Sequence, residues 1–598
     1  MIDRKNKDIT FSRRSFIGLV IKFLGLNIIA YRFFFLQILN PEKYSILSRK
    51  NSLRNIHLDS PRGEIISRDY QKLATNIVKY SIRLHKVEYN TAIKIIDNLE
   101  VLFNIKIKSI VKSKKVTASI DNLLWEQIVI AQEEYNILDH CIINAFQQRI
   151  YPFANLLSHV IGYVIMERKI SNGQLYYENN TLKGQNGIEK FYDNELSGIT
   201  GNQNLEVDSL GNIIKKEITL KAKSGSKIQI SINTKIQEIV ALNLKEKTGS
   251  IVIMNPENGY INAMYSTNSY DPKIFDNMSY KQWQNIINSS NSPLLNKCIS
   301  ANYPPGSVFK IAVAIAALEN GIDPHRKVYC NGGIMVGSRF YHCWRKFGHG
   351  FVDISQAIAH SCNVYFYTIG GKIGQSKIKK IAYILGLGQK TGIDIPFESN
   401  GIIPDETWKY QRFGKKWSMG DTTNSSIGQG YTLVTMIQLA TMIARVSSGK
   451  MVKPRLKITN NNEKTIDLPF RNENLEIIRK AMVKVVDQHK INVPKAKKNV
   501  FTFAGKTGTA QIISKLKAES GKEEHSIFIG YMSYDYNNTS EGISYLSYLN
   551  NNNSNINTID EDIQNSYAIA LIIENGSWGR NSIPIVKKIF DQILNLKI

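Results

Sequence analysis

Three short stretches of this 598-residue chain carry side chains that could act on a peptide carbonyl. The first is Ser307-Val308-Phe309-Lys310, inside "YPPGSVFK". Pro304, Pro305 and Gly306 break the chain before it, so Ser307 is expected at a helix N-terminus, with Lys310 one turn later on the same face. A neutral lysine there can take the serine proton, and the helix dipole favours negative charge at Ser307. The second is Ser361-Cys362-Asn363, a hydroxyl and a carboxamide two apart that could face a site from a loop. The third is Lys506-Thr507-Gly508-Thr509 in "AGKTGTAQ", expected within a strand. Gly508 lets a ligand approach the backbone, and Lys506 with the hydroxyls of Thr507 and Thr509 can hold a carboxylate. Singly these motifs are weak, since S-x-x-K occurs by chance in most long chains. A phosphate loop fails on spacing, because Val500 stands where the first glycine is needed.

Cysteine is scarce, at five residues, yet one sits inside the second triplet. Cys330, Cys343, His349 and Cys362 are spaced C-x12-C-x5-H-x12-C. Soft thiolates with one imidazole suit a closed tetrahedral structural zinc site. "CNGGIMVGSRFYHC" can fold as a hairpin that brings Cys330 and Cys343 together. The spacing lacks the short C-x-x-C pairs of zinc fingers, and three alternatives compete. Two cysteines could form a disulfide, Cys362 could be only a small buried residue, or His342 could replace His349.

The elements that must position these residues can be read around them. "GSVFKIAVAIAALENG" reads as a buried helix stopped by glycine, and "GSIVIMNPENGYINAMYS" as a β-hairpin. "FTFAGKTGTAQII", "HSIFIGYMS" and "YAIALIIEN" read as strands, followed by an amphipathic helix in "IPIVKKIFDQILNLK". Two strands, helices, three strands and a helix give an α+β fold, an antiparallel sheet covered by helices. The Asn/Ser-rich stretch at 537–565 reads as a surface insert. Upstream, "TAIKIIDNLEVLFNI" and "TKIQEIVALNLKEK" read as helices and "SKIQISIN" as a strand, with a domain boundary near Lys247.

At the N-terminus, five of the first 14 residues are basic. Ser15 to Leu39 would then form a helix about 37 Å long, enough to cross a bilayer. No small-residue cleavage site follows Leu39, so the reading is a transmembrane anchor with the tail inside and the large domain outside. Lys22 and Arg32 must snorkel or meet a partner helix at membrane depth. The net charge of +26 comes from basic residues spread along the chain, with no nucleic-acid motif, so nucleic acid is not an expected partner.

Taken together, in order, and separated by 54 and 145 residues, the three motifs resemble the signature of the penicillin-binding proteins. The resemblance covers the whole chain. "SPRGEIISRD", "RIYPFANLLSHVIGYV", "GQNGIEKFYDNELSG" and "EVDSLGN" resemble the pedestal motifs of class B members, and "YHCWRKFGHG" resembles those of the elongation type. Ala154 departs from the usual glycine, and the Asn-rich insert looks foreign to the class. The resemblance implies a cytoplasmic tail (1–14), a transmembrane helix (15–39), a non-catalytic, dimerisation-like pedestal (40–247) and a transpeptidase domain (248–598). It implies a serine D,D-transpeptidase of peptidoglycan stem peptides, acting in wall elongation and binding β-lactams, with a D,D-carboxypeptidase side reaction. In this scheme Ser307 is the nucleophile, Lys310 its base, Ser361 a proton relay to the leaving D-alanine, and Asn363 orients Lys310 and the donor amide. The N–H groups of Ser307 and Thr509 form the oxyanion hole, and Lys506, Thr507, Gly508 and Thr509 bind the terminal carboxylate. Expected partners are the inner membrane, a RodA-type glycan polymerase and elongation-complex proteins, with the catalytic domain in the periplasm. Elongation-type enzymes carry zinc at the place of Cys330, Cys343, His349 and Cys362, which favours zinc over the disulfide. A division transpeptidase, or a β-lactam sensor or hydrolase, would share the catalytic motifs.

Overall fold

The computed structural model describes residues 13–39, 42, 53–58, 60–107, 109–112, 115–135, 141–166, 169–171, 174–176, 182–207, 213–276, 278–459, 466–488, 501–511, 524–534 and 566–596. The Asn-rich insert at 537–565 lies outside them.

The chain divides into two units. One comprises Met1–Pro61 and Gly198–Ser224. It contains a helix, α1 (Arg13–Phe34), which continues through a wider π turn at Phe35–Leu39, and an antiparallel sheet of Leu53–Leu58, Gly201–Val207 and Ile213–Leu220. The segment Phe16–Leu39 is long and apolar enough to cross a membrane and is a candidate span.

The other unit holds the rest of the pedestal and the catalytic domain. In the pedestal, the long strand Lys72–Glu88 pairs with Lys115–Leu123 and Ile142–Ile150. The amphipathic helix Tyr89–Phe103 buries Ala92, Ile95, Ile96 and Leu99 in a core shared with that sheet. Beside it, Glu189 is fully buried between two guanidiniums, 2.6 Å from Arg62 and 2.8 Å from Arg149. Arg62 also reaches Asp193 at 2.7 Å. One carboxylate thus fastens Arg62, where this unit begins, to the strand Ile142–Ile150.

The catalytic sheet is built from β1 (Gly249–Met254), β2 (Ile261–Ser266), β3 (Phe501–Gln511), β4 (Glu524–Tyr534) and β5 (Tyr567–Ile573). The order is β2-β1-β5-β4-β3, antiparallel throughout, with β3 at one edge. The central strands are buried on both faces, which is why "SIVIM" and "YAIALII" are continuous apolar runs. Their side chains alternate between two cores. Val252, Met254, Ala570 and Ile572 face one, with helix Met436–Ser448; Ile251, Ile253, Ile569 and Leu571 face the other, with helix Ile583–Asn595.

Two sequence expectations shift. The helix Thr234–Leu244 places Ile236, Val240 and Leu244 in the second of these cores, so packing on the catalytic sheet begins before Lys247. "SKIQISIN" pairs as a strand only at Ile228–Gln229, parallel to Ile65–Ile66, because the next residues turn to bond isolated backbone groups of the catalytic domain.

Candidate active site

Gly306–Phe309 form one 3-10 turn, and Lys310–Glu319 continue it as an α-helix with nine buried residues. Gly306 has φ +56°, and a Cβ there would stand 2.4 Å from the Thr509 carbonyl oxygen. Both facts require glycine. Opposite it, a Cβ on Gly508 would stand 2.9 Å from the Pro305 oxygen and 3.0 Å from Val308 Cγ1. The turn carrying Ser307 therefore presses directly on β3. As an edge strand, β3 leaves one row of backbone groups free of a neighbouring strand, and an extended peptide can pair there.

Alternation along β3 puts Lys506 and Gly508 on the face toward the Ser307 turn and Thr507 and Thr509 on the other. A carboxylate lying on the strand edge can be reached from both. Thr509 Oγ1 accepts the Gly579 N–H at 3.0 Å, which fixes its rotamer and leaves its own proton to donate.

Lys310 is 0% exposed. Its Nζ donates to Asn363 Oδ1 at 2.7 Å, to the Ser361 carbonyl at 2.8 Å and to Ser361 Oγ at 3.2 Å, and lies 5.5 Å from the Phe366 ring centroid. The first two expected motifs, some fifty residues apart, thus meet at one ammonium. Burial pushes Lys310 down to about 8, against an opposing pull from the thiols of Cys343 and Cys362. Lys506 is also fully buried, and burial followed by the charge of Lys310 pushes it well below the ordinary lysine range. Two buried like charges that repel each other raise the cost of keeping both, so the pair favours one neutral lysine.

The Ser361 triplet is a tight turn between helices Ile354–Ala359 and Asn363–Ile373. Ser361 has φ +53°, a left-handed conformation that costs a residue with a Cβ about 1–2 kcal/mol. It is held by Ser361 N–H to the Ile358 oxygen at 3.2 Å and Cys362 N–H to the Ala357 oxygen at 2.9 Å. Such strain persists where surrounding structure over-determines it.

Cys330, Cys343, His349 and Cys362 come together, with their four donor atoms all within 4.8 Å of one another. His349 Nδ1 is 3.6 Å from both Cys330 Sγ and Cys343 Sγ. A tetrahedral zinc with ordinary Zn–S and Zn–N bonds sets neighbouring S and N donors roughly 3.5 Å apart, so the donor set fits. The expected hairpin forms from Gly333–Val336 and Arg339–His342, and the Cys343 N–H closes it onto the Gly332 oxygen at 2.8 Å. His342 is exposed and does not join the cluster; the imidazole present is that of His349. All five cysteines are free thiols, so no disulfide spans this site. The Cys343 thiol is pushed down, first by the hydrogen bond from Cys362. Cys343 Sγ also accepts the Asn363 N–H at 3.4 Å, which links the cluster to the catalytic triplet.

Sequence reasoning missed the support behind the turn. Gly428 O accepts the Gly306 N–H at 2.9 Å, and Gln429 Nε2 donates to Thr509 O at 3.4 Å. The glycine-punctuated "SIGQG" was the available signal for a turn, but nothing local tells which strand it braces. Tyr303, just before the two prolines, donates to Glu574 Oε1 at 2.5 Å.

Residues 249–540 match the penicillin binding protein transpeptidase domain, and residues 57–230 match the penicillin-binding protein dimerisation domain. The peptidoglycan D,D-transpeptidase MrdA of Acinetobacter baumannii is 28% identical over 98% of this chain and 88% of its own length. Its counterpart in Escherichia coli K12 is 25% identical over 98% of this chain and 94% of its own. Among solved structures, the complex between penicillin-binding protein PBP2 and MreC from Helicobacter pylori superposes with a TM-score of 0.73 at 26% identity, covering 91% of this chain and 99% of that one. With both domains matched in order and relatives aligned over nearly the whole length, the chain belongs to the class B penicillin-binding proteins and is most like penicillin-binding protein 2.

Proposed function

We propose that the chain is a serine D,D-transpeptidase that cross-links peptidoglycan stem peptides during wall elongation. The observation that carries this reading is the fully buried Lys310 ammonium, held by Ser361 and Asn363 in the first helical turn after Ser307. The donor stem pairs along β3, with its terminal carboxylate at Lys506, Thr507 and Thr509. Neutral Lys310 takes the Ser307 proton as Oγ attacks the penultimate D-alanine carbonyl. The N–H groups of Ser307 and Thr509 stabilise the oxyanion; one such donor lowers the barrier by about 3–4 kcal/mol. The C–N bond then breaks, and the proton held by Lys310 reaches the leaving D-alanine amine through Ser361. Asn363 keeps Lys310 aligned and receives the donor amide. An acceptor amine from a second stem attacks the acyl-enzyme ester, forms the cross-link and returns the proton to Ser307. When water takes the acceptor's place, the product is that of a D,D-carboxypeptidase.

Cys330, Cys343, His349 and Cys362 would hold a structural zinc ion. The metal would supply a fixed point for the Ser361 turn, through Cys362 within the triplet and Cys343 on the Asn363 N–H, and takes no part in bond making. The candidate span Phe16–Leu39 would anchor the chain in the inner membrane with the catalytic domain in the periplasm. A relative is known in complex with MreC, which supports elongation-complex partners for this chain; a RodA-type polymerase belongs to the same proposal.

Fluorescent penicillin labelling of the full-length protein tests the enzymatic reading. The wild type should be labelled covalently and Ser307→Ala should not; full labelling of Ser307→Ala would overturn the assignment.

A further inference from the structure

The lobe that carries the cysteine cluster has a surface that neither the cluster nor the chemistry uses. Residues 325–352 contain five Lys and Arg and no Asp or Glu, in a segment with six Phe, Tyr and Trp. All five cations are exposed. So are most of the aromatic rings: Phe347 is 89% exposed, Phe351 66%, Tyr329 58% and Trp344 57%. Tyr329 and Phe351 are cross-strand partners with ring centroids 4.9 Å apart, so this pair presents one aromatic patch to solvent. Exposed aromatic clusters of this kind mark binding surfaces, because apolar area left in water is stabilised when a partner covers it.

The position of the lobe restricts what would cover it. Trp344 Nε1 donates to the carbonyl of His360, the residue before Ser361, at 3.0 Å. Asn363 Nδ2 donates to the His342 carbonyl at 3.4 Å. Trp344 and His342 of this lobe therefore sit at the rim of the catalytic triplet. In the proposed reaction, the edge of β3 holds only the end of a stem peptide. The polymer from which that stem hangs must leave the cleft across its rim. That polymer has flat pyranose faces of C–H groups, which pack on aromatic rings, and carboxylates along its stems, which match the five exposed cations of this segment.

We infer that the exposed aromatic and basic surface of residues 325–352 binds the glycan strand of uncross-linked peptidoglycan, apart from the stem terminus held in the cleft. This rests on the transpeptidase reading. The surface raises the local concentration of polymer-borne stems without touching the reacting atoms, so it acts on polymeric substrate and leaves small acylating agents unaffected.

The test uses the full-length protein in detergent and two double variants, Lys346→Ala/Phe347→Ala and Tyr329→Ser/Phe351→Ser. Neither pair lies in the catalytic motifs or the cysteine cluster. Three probes are compared: a fluorescent penicillin, purified glycan strands carrying uncross-linked pentapeptide stems, and anionic phosphatidylglycerol vesicles. Both variants should keep the wild-type penicillin acylation rate within twofold and bind glycan strands at least tenfold more weakly. Should one variant lose acylation through misfolding, the other carries the same comparison. Wild-type strand affinity in a variant that acylates normally overturns the inference, as does a loss confined to vesicle binding, which would assign the surface to the membrane. Failure of the wild type to be acylated removes the transpeptidase reading instead, and strand affinity is read independently of it.

Discussion

Asn363 accepts a hydrogen bond from Lys310 Nζ at 2.7 Å, and it offers a way to move that lysine's titration in either direction. Burial lowers Lys310 from 10.5 to about 8. The neutral, proton-accepting fraction at pH 7 is then about a tenth, roughly 300-fold more than an unperturbed lysine would supply. Acylation should therefore rise about tenfold from pH 6 to 7, about fivefold from 7 to 8, and level off above 9. Replacing Asn363 by Asp puts an anion where the carboxamide oxygen stands. An opposite charge at this range favours the protonated form by roughly 1–3 pKa units. Asn363→Asp should fall 10- to 1000-fold at pH 7 and recover as pH rises. Asn363→Ala removes an acceptor from the ammonium, a charge-assisted bond of about 1.5–3 kcal/mol, and should shift the limb to lower pH. Its plateau should still drop, because Lys310 is less well aligned. The assay is stopped-flow acylation by a fluorescent penicillin from pH 5.5 to 10, with fold checked by circular dichroism at each end. The two variants must move the limb in opposite directions. Coincident limbs in all three proteins would mean that Lys310 is not the group whose deprotonation limits acylation.

Other expectations test the scaffold. Ser361→Gly and Ser361→Ala both lose the hydroxyl, but only alanine keeps the left-handed strain, so the glycine variant should be the more stable by about 1 kcal/mol in urea unfolding; equal stabilities would show that the turn is not strained. Glu189→Ala leaves Arg62 and Arg149 buried without their shared carboxylate and should destabilise the pedestal by about 3–5 kcal/mol; a loss under about 1 kcal/mol would mean that water replaces it. Metal analysis of the purified protein should find about one zinc per chain, lost together with thermal stability in Cys362→Ala; a metal-free wild type with normal acylation would refute the zinc assignment.

Much of the site was legible because its signals are local. The proline-glycine break before Ser307, the one-turn offset to Lys310 and the strand alternation around Gly508 all depend on a few consecutive residues. The catalytic sheet was legible for a related reason: a strand buried on both faces must be apolar throughout, and "YAIALII" leaves little else to be. The edges of elements were less so. "SKIQISIN" alternates over eight residues but pairs over two, because pairing needs a neighbour that the alternation cannot reveal.

The sequence by itself determined the chemistry available: a serine with a lysine one turn on, a second hydroxyl with a carboxamide, a glycine-notched strand, and three thiols within reach of an imidazole. Tertiary structure alone decided how that chemistry is tuned. Spacing allowed either His342 or His349 beside the cysteines. His342 ends a strand with its ring outward, whereas the turn at Gly348, φ +75°, brings the His349 N–H to the Cys330 oxygen at 3.0 Å and its Nδ1 to two thiols. No local pattern marked Lys310 as a base near neutrality. That follows from full burial; Asn363, 53 residues away in the chain and 2.7 Å away in space, holds the group in line. Proton affinity depends on the surrounding dielectric and on partners at contact distance, and both exist only once the chain has folded.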